Sequence, residues 1–205
     1  MRRESSTVVV LTGPAGSELL AGLSRSPNLS VVRRAGDPQA GRPADATADQ
    51  LSWEPGARAM REAAKRKSTY VLVADDPLAG VAAAWQAMWE PAAGAEAAAD
   101  FDVESGQALA AWRGKQFELP DYYLVLAPPP GSAAGPGLHL GPLRAVRPRR
   151  VAVATIAGSG QEAVTLLDSL RSLEHGPWWP PLDRLLDSAR DFYAGSLAEI
   201  PFPSG

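Results

Sequence analysis

The sequence predicts an α/β fold with three layers: a mostly parallel sheet of about five strands, with helices on both faces. Three observations carry this. Short β-branched runs alternate with longer stretches of helical period. The strand runs are apolar throughout rather than alternating, as expected of strands buried on both sides. Most runs end in a Gly-, Pro- or Asp-rich turn that feeds directly into the next helical stretch.

The first strand is Thr7-Val8-Val9-Val10-Leu11, followed by the turn Thr12-Gly13-Pro14-Ala15-Gly16. Leu19, Leu20 and Leu23 then share one helical face, and that helix stops near Ser26, because Pro27 disfavours helical backbone in the residue before it. Leu29 to Arg33 reads as a short second strand. Residues 35–56 have no period and are rich in Gly, Pro, Asp and Ala, which predicts a loop or partly disordered insert. Arg58 to Lys67 reads as a short helix with Met60 and Ala64 facing inward.

Thr69 to Ala74 is the clearest strand and ends in Asp75-Asp76-Pro77. Leu78, Val81, Ala82, Trp85, Met88 and Trp89 recur at intervals of three and four and mark an amphipathic helix closed by Glu90-Pro91. Residues 92–100 read as an alanine-rich linker or weak helix, and Ser105 as the cap of a short helix carrying Ala108, Leu109 and Trp112. Tyr122 to Ala127 is a further strand, with an exposed loop predicted near 128–137. Val151 to Ile156 is the last strand. Two helices follow, one carrying Ala163, Leu166, Leu167, Leu170 and Leu173, the other starting near Pro180-Pro181 and carrying Leu182, Leu185, Leu186, Ala189, Phe192 and Tyr193.

With 205 residues the chain is read as one domain, long enough for a sizeable core. The absence of Cys excludes disulfides, thiolate metal sites and a Cys nucleophile. No apolar run reaches the length of a membrane span, so the expectation is a cytoplasmic protein with no membrane partner. A formal charge of −3 gives no support to a dedicated nucleic-acid binder.

In open parallel sheets ligands bind at the carboxyl ends of the strands. Four loops are expected there. Gly13, Gly16 and Ser17 begin like a phosphate-binding loop, and backbone N–H groups at a helix start can cradle an anion. The lysine that would reach the phosphates is missing, and a tight strand-to-helix turn explains the same residues. Gly158, Ser159 and Gly160 have the same status, and Ser159 does not sit in a nucleophile elbow. Asp75 and Asp76 can ligate Mg²⁺ or serve as catalytic base, and they can equally cap the helix beginning near Leu78. Asp37 and Asp121 lie in no motif. Of the two histidines, His139 sits between a loop and a turn, and His175 at a helix end that favours a cation. No cofactor is indicated.

The opposite, amino-terminal edge collects positive charge: Arg2 and Arg3 before the first strand, Lys65-Arg66-Lys67 before the third, and Arg144, Arg147, Arg149 and Arg150 before the last. Such a rim is either solvated and paired with nearby acids or a patch for an acidic partner. No aromatic residue interleaves with these arginines in sequence, which favours a protein over single-stranded nucleic acid. Trp178 and Trp179 lie in a proline-rich connector, where one ring is expected to plug the core and the other to anchor an interface.

Two functions follow. One is a non-enzymatic accessory or protein-interaction domain, with self-association as one form of it. The other is a small-ligand enzyme for phosphoryl transfer or hydrolysis, with Gly13–Ser17 for an anion and Asp75 or Asp76 for chemistry.

Overall fold

A computed structural model describes residues 6–13, 17–32, 51–90, 93–127, 137–155 and 177–199. Its five strands are β1 (Thr7–Thr12), β2 (Leu29–Val32), β3 (Tyr70–Val73), β4 (Tyr122–Ala127) and β5 (Val151–Thr155). They form one sheet in the order β2-β3-β1-β4-β5, and every pairing is parallel. Among the described residues six α-helices accompany them: α1 (Ser17–Leu23), α2 (Glu54–Ala63), α3 (Ala79–Ala87), α4 (Ala95–Arg113), α5 (Arg144–Val146) and α6 (Leu182–Glu199). The fold is a three-layer α/β arrangement, as the apolar strands imply.

Side chains alternate along each strand and divide the core in two. On one face Val9, Leu11, Leu72, Leu124 and Leu126 pack with Leu19 and Leu23 of α1. On the other, Val8, Val10, Val71, Val73, Tyr123 and Val125 pack with α2, α3, α4 and α6. Trp85 is fully buried there, with the rings of Trp89, Phe101, Phe192 and Tyr193 grouped around it. This accounts for two of the six tryptophans as core.

Three element boundaries differ from expectation. The helix expected from Arg58 begins at Glu54, because Pro55 fits the first helical turn, where a missing N–H costs nothing. It ends at Ala63, so Ala63 faces the core and Ala64 is exposed. The alanine-rich stretch and the helix expected from Ser105 are one 19-residue helix, α4, with Gly94 rather than Ser105 at its start. Alanine is the strongest helix former, and Phe101, Ser105 and Ala108 share one buried face at helical spacing. The expected helix after Gly160 and the loop at 128–136 lie outside the described residues, as do residues 35–50 of the expected insert, whose last three residues belong to α2.

The strand order creates one topological switch point. From β1 the chain travels to the far edge at β2, steps back to β3, and then crosses β1 to reach β4 and β5. The helix leaving β1 therefore lies on one face, and the helices leaving β3 lie on the other. In such sheets the crevice between the diverging loops is the general ligand position. Here it is bordered by Gly13, by Asp75 and Asp76, and by the end of β4.

Candidate functional site

The switch point holds a buried polar cluster built from three segments. Asp76 follows β3, Tyr123 lies on β4, and His139 belongs to the connection between β4 and β5. The Nε2 of His139 lies 2.8 Å from Oδ2 of Asp76, and both side chains are buried to about nine-tenths. An ionised carboxylate only accepts, so Nε2 carries the proton and donates. The other oxygen, Oδ1, accepts the backbone N–H of Leu78 at 2.9 Å and the Tyr123 hydroxyl in a long contact at 3.5 Å. The Tyr123 ring stacks obliquely on His139, centroids 4.7 Å apart, and meets Trp179 edge-on at 5.7 Å.

Local sequence explains each placement. Asp76 turns back onto Leu78 because an Asp side chain readily caps the N–H two residues on. The turn can sit this close to α2 only because residue 56 is Gly: a Cβ there would lie 2.2 Å from the Pro77 nitrogen. His139 opens a π-helical turn, His139–Leu143. Pro142 has no N–H to give to the Leu138 carbonyl, and the next residue, Leu143, supplies it at 3.2 Å across a wider turn. That turn lies against α6 and buries Leu138, His139 and Leu143.

Burial is the main cause that holds the Tyr123 phenol well above its ordinary pKa, with the Asp76 charge and hydrogen bond adding to it. Tyr123 is therefore a permanent donor at neutral pH. Chemically the cluster is a carboxylate orienting an imidazole.

Of the two adjacent aspartates, Asp76 has both oxygens engaged inside the protein, and Asp75 stands half-buried beside it. Gly13 has a left-handed φ of 101°, and a Cβ on it would lie 2.6 Å from the Leu126 carbonyl, so this position requires glycine. Thr12, just before it, has a buried hydroxyl with no hydrogen-bond partner among the described residues. Ser17 begins α1. Gly16, Gly158, Ser159, Gly160, Asp37 and His175 fall outside the described residues or in segments not described. Asp121 is a structural residue, its carboxylate accepting the Val8 N–H at 2.7 Å at the start of the β1–β4 ladder.

The arginine segment forms a second constellation at the amino-terminal edge. Arg150 is 8% exposed, with its guanidinium between the rings of Tyr122 and Trp178 at 4.9 and 4.7 Å. Its nitrogens also donate to the carbonyls of Asp121 at 3.0 Å and Pro177 at 3.3 Å. Arg147 donates to the Trp178 carbonyl at 2.7 Å. Trp179 is the buried ring of the pair, its indole N–H donating to the Pro120 carbonyl at 2.9 Å. Trp178 is 50% exposed. Arg144 and Arg149 are exposed on the same segment. The fold thus brings an aromatic ring to arginines that have none near them in sequence. At the same edge Lys65 and Arg66 are paired with Glu62.

His139 and Tyr123 were not candidates from sequence. His139 is hidden by the Gly-Pro that follows it, which reads as an exposed turn, and Tyr123 by its place inside a core strand. Comparisons of the chain with protein-family models, with curated proteins and with solved structures return no match. No helix among the described residues is long and apolar enough to cross a membrane.

Proposed function

We propose that the chain is a non-enzymatic interaction domain that engages a protein partner through the amino-terminal edge of its sheet. The observation that carries this is Trp178. Its ring is half exposed, yet it is held from behind by the buried Arg150 guanidinium, and its carbonyl is held by Arg147. An aromatic ring ordered before binding costs little entropy to dock, which is the character of an interface anchor. Arg150 and Trp179 act beneath the surface, and Trp178, Arg144, Arg147 and Arg149 present it. The engagement of Asp76 by the Leu78 N–H and by His139 supports the same reading, since it gives that carboxylate a structural task.

A second reading is favoured by one observation: the Asp76–His139 pair lies at the switch point. In that reading His139 serves as base, oriented by Asp76, for a small phosphorylated or carboxylated ligand near Gly13.

One experiment separates them. Thermal melts are recorded with nucleotides, sugar phosphates, small carboxylates and Mg²⁺, and in parallel the protein is used as bait in cell extract. The interaction reading expects no shift across the panel, together with a captured protein lost in a W178A/R149E bait. A rise of several degrees with one ligand class, abolished by H139Q, would instead establish the second reading.

A further inference from the structure

We propose that the outer face of α4 binds a second copy of this chain, with the two helices running antiparallel about Gly106. A helix at the surface normally turns charge toward water. The outer face of α6 does so, with Arg184, Asp187, Arg190 and Asp191 exposed. The outer face of α4 is different. Ala95, Ala99, Val103, Gly106 and Ala110 recur there at intervals of three and four, and all are exposed. Val103, in the middle of that row, is 56% exposed. The opposite face, with Phe101, Ser105, Ala108 and Ala111, is the one buried in the core, so α4 is apolar on two sides. A Cβ at Gly106 would meet nothing within 4 Å among the described residues, so packing within the chain does not require glycine there. Glycine weakens a helix interior. Against a second helix it lets the two backbones approach closely.

Charge selects the occupant. Residues 95–104 carry Glu96, Asp100, Asp102 and Glu104 and no base, and residues 105–115 carry Arg113 and Lys115 and no acid. Asp102, Glu104 and Arg113 have partners within the chain, in Arg190, Ser52 and Asp183. The selection therefore rests on Glu96, Asp100 and Lys115, all exposed. In an antiparallel pair with its twofold axis at Gly106, Lys115 comes level with Ala97 of the other helix, between Glu96 and Asp100. The same contact recurs at the other end. A parallel pair would set like charge on like. A twofold interface must be complementary to itself, and a row that is acidic at one end, basic at the other and small in the middle meets that condition. Lys115 also holds a left-handed φ of 57° just past the end of α4, a conformation that glycine adopts more readily. The chain thus places this ammonium against the preference of its backbone.

The test follows the mass of the full chain by sedimentation equilibrium from about 1 to about 200 μM, a range suited to a small interface. The expected result is a reversible equilibrium between monomer and dimer. V103E and G106Q put a charge or a longer side chain into the contact, and each should weaken dimerisation by about tenfold or more. Both positions are exposed, and circular dichroism and thermal melts of the dilute monomers serve as the folding control. K115E and the double variant E96K/D100K should each weaken the dimer through repulsion, and an equimolar mixture of the two should recover it.

A monomer across the whole range would overturn the proposal. So would a dimer that V103E and G106Q leave intact, and one lost in W178A would place self-association at the sheet edge instead. In a parallel pair K115E only exchanges one like-charge contact for another. Unchanged affinity in K115E, or a mixture that stays monomeric, would therefore overturn the antiparallel arrangement.

Discussion

Asp76 is a single side chain on which three segments depend. Its carboxylate holds the start of α3 through Leu78, the β4–β5 connection through His139, and β4 through Tyr123. Removing a carboxylate from such a position leaves a buried imidazole N–H and a backbone N–H without their acceptor, and each buried donor so orphaned typically costs about 1–3 kcal/mol. D76A is therefore expected to lose about 3 kcal/mol of stability in urea denaturation. D76N, which keeps a carbonyl oxygen for one donor, should lose less. If D76A unfolds at the wild-type midpoint, the cluster is not what fastens the connection to the sheet. Such a cost suits a structural joint.

Glycines show the same dependence for the elements. Gly56 lets α2 touch the Asp76-Pro77 turn, where any side chain would enter the backbone of that turn. Gly106 lies on the exposed face of α4 with nothing within 4 Å of its missing Cβ. G56A should thus cost about 2 kcal/mol or more through forced separation of α2 from β3. G106A should raise stability by about 1 kcal/mol, since Ala exceeds Gly in helix propensity by that amount. Equal midpoints for the two variants in denaturant would contradict the close approach. The strands and the amphipathic faces of α3 and α6 were legible in the sequence because they depend on local period. The length of α4 was less so, since a serine within it has the composition of a cap, and only the burial of Phe101, Ser105 and Ala108 on one face shows otherwise. The His139 turn was not legible at all: its width comes from the bond that Pro142 cannot make. The same holds for Trp178 and Arg150, which lie 28 residues apart and meet only because the connector crosses the amino ends of β4 and β5.

For the molecule as a whole, the parallel sheet gives its two edges different characters. Near the carboxyl end of β3 lies a buried polar cluster, and the amino edge presents charge and an ordered indole. The cluster has a pH signature of its own. In the unfolded chain Tyr123 releases its proton near the ordinary value of 10.0, whereas in the fold burial and the Asp76 charge keep the phenol protonated well beyond that. Below about pH 9 both states hold the proton and this group has no effect on stability. Above pH 10 the unfolded state gains a charge that the folded state refuses, so each further pH unit favours unfolding by about 1.4 kcal/mol until the native phenol titrates. Replacing Tyr123 with Phe keeps the ring between His139 and Trp179 and removes the titrating group. Melting temperatures of wild type and Y123F, followed from about pH 8 to pH 11.5, should run parallel up to about pH 9.5 and then diverge, with Y123F falling less steeply. Curves that stay parallel throughout would mean that Tyr123 titrates alike in both states, and that burial beside Asp76 does not hold its proton.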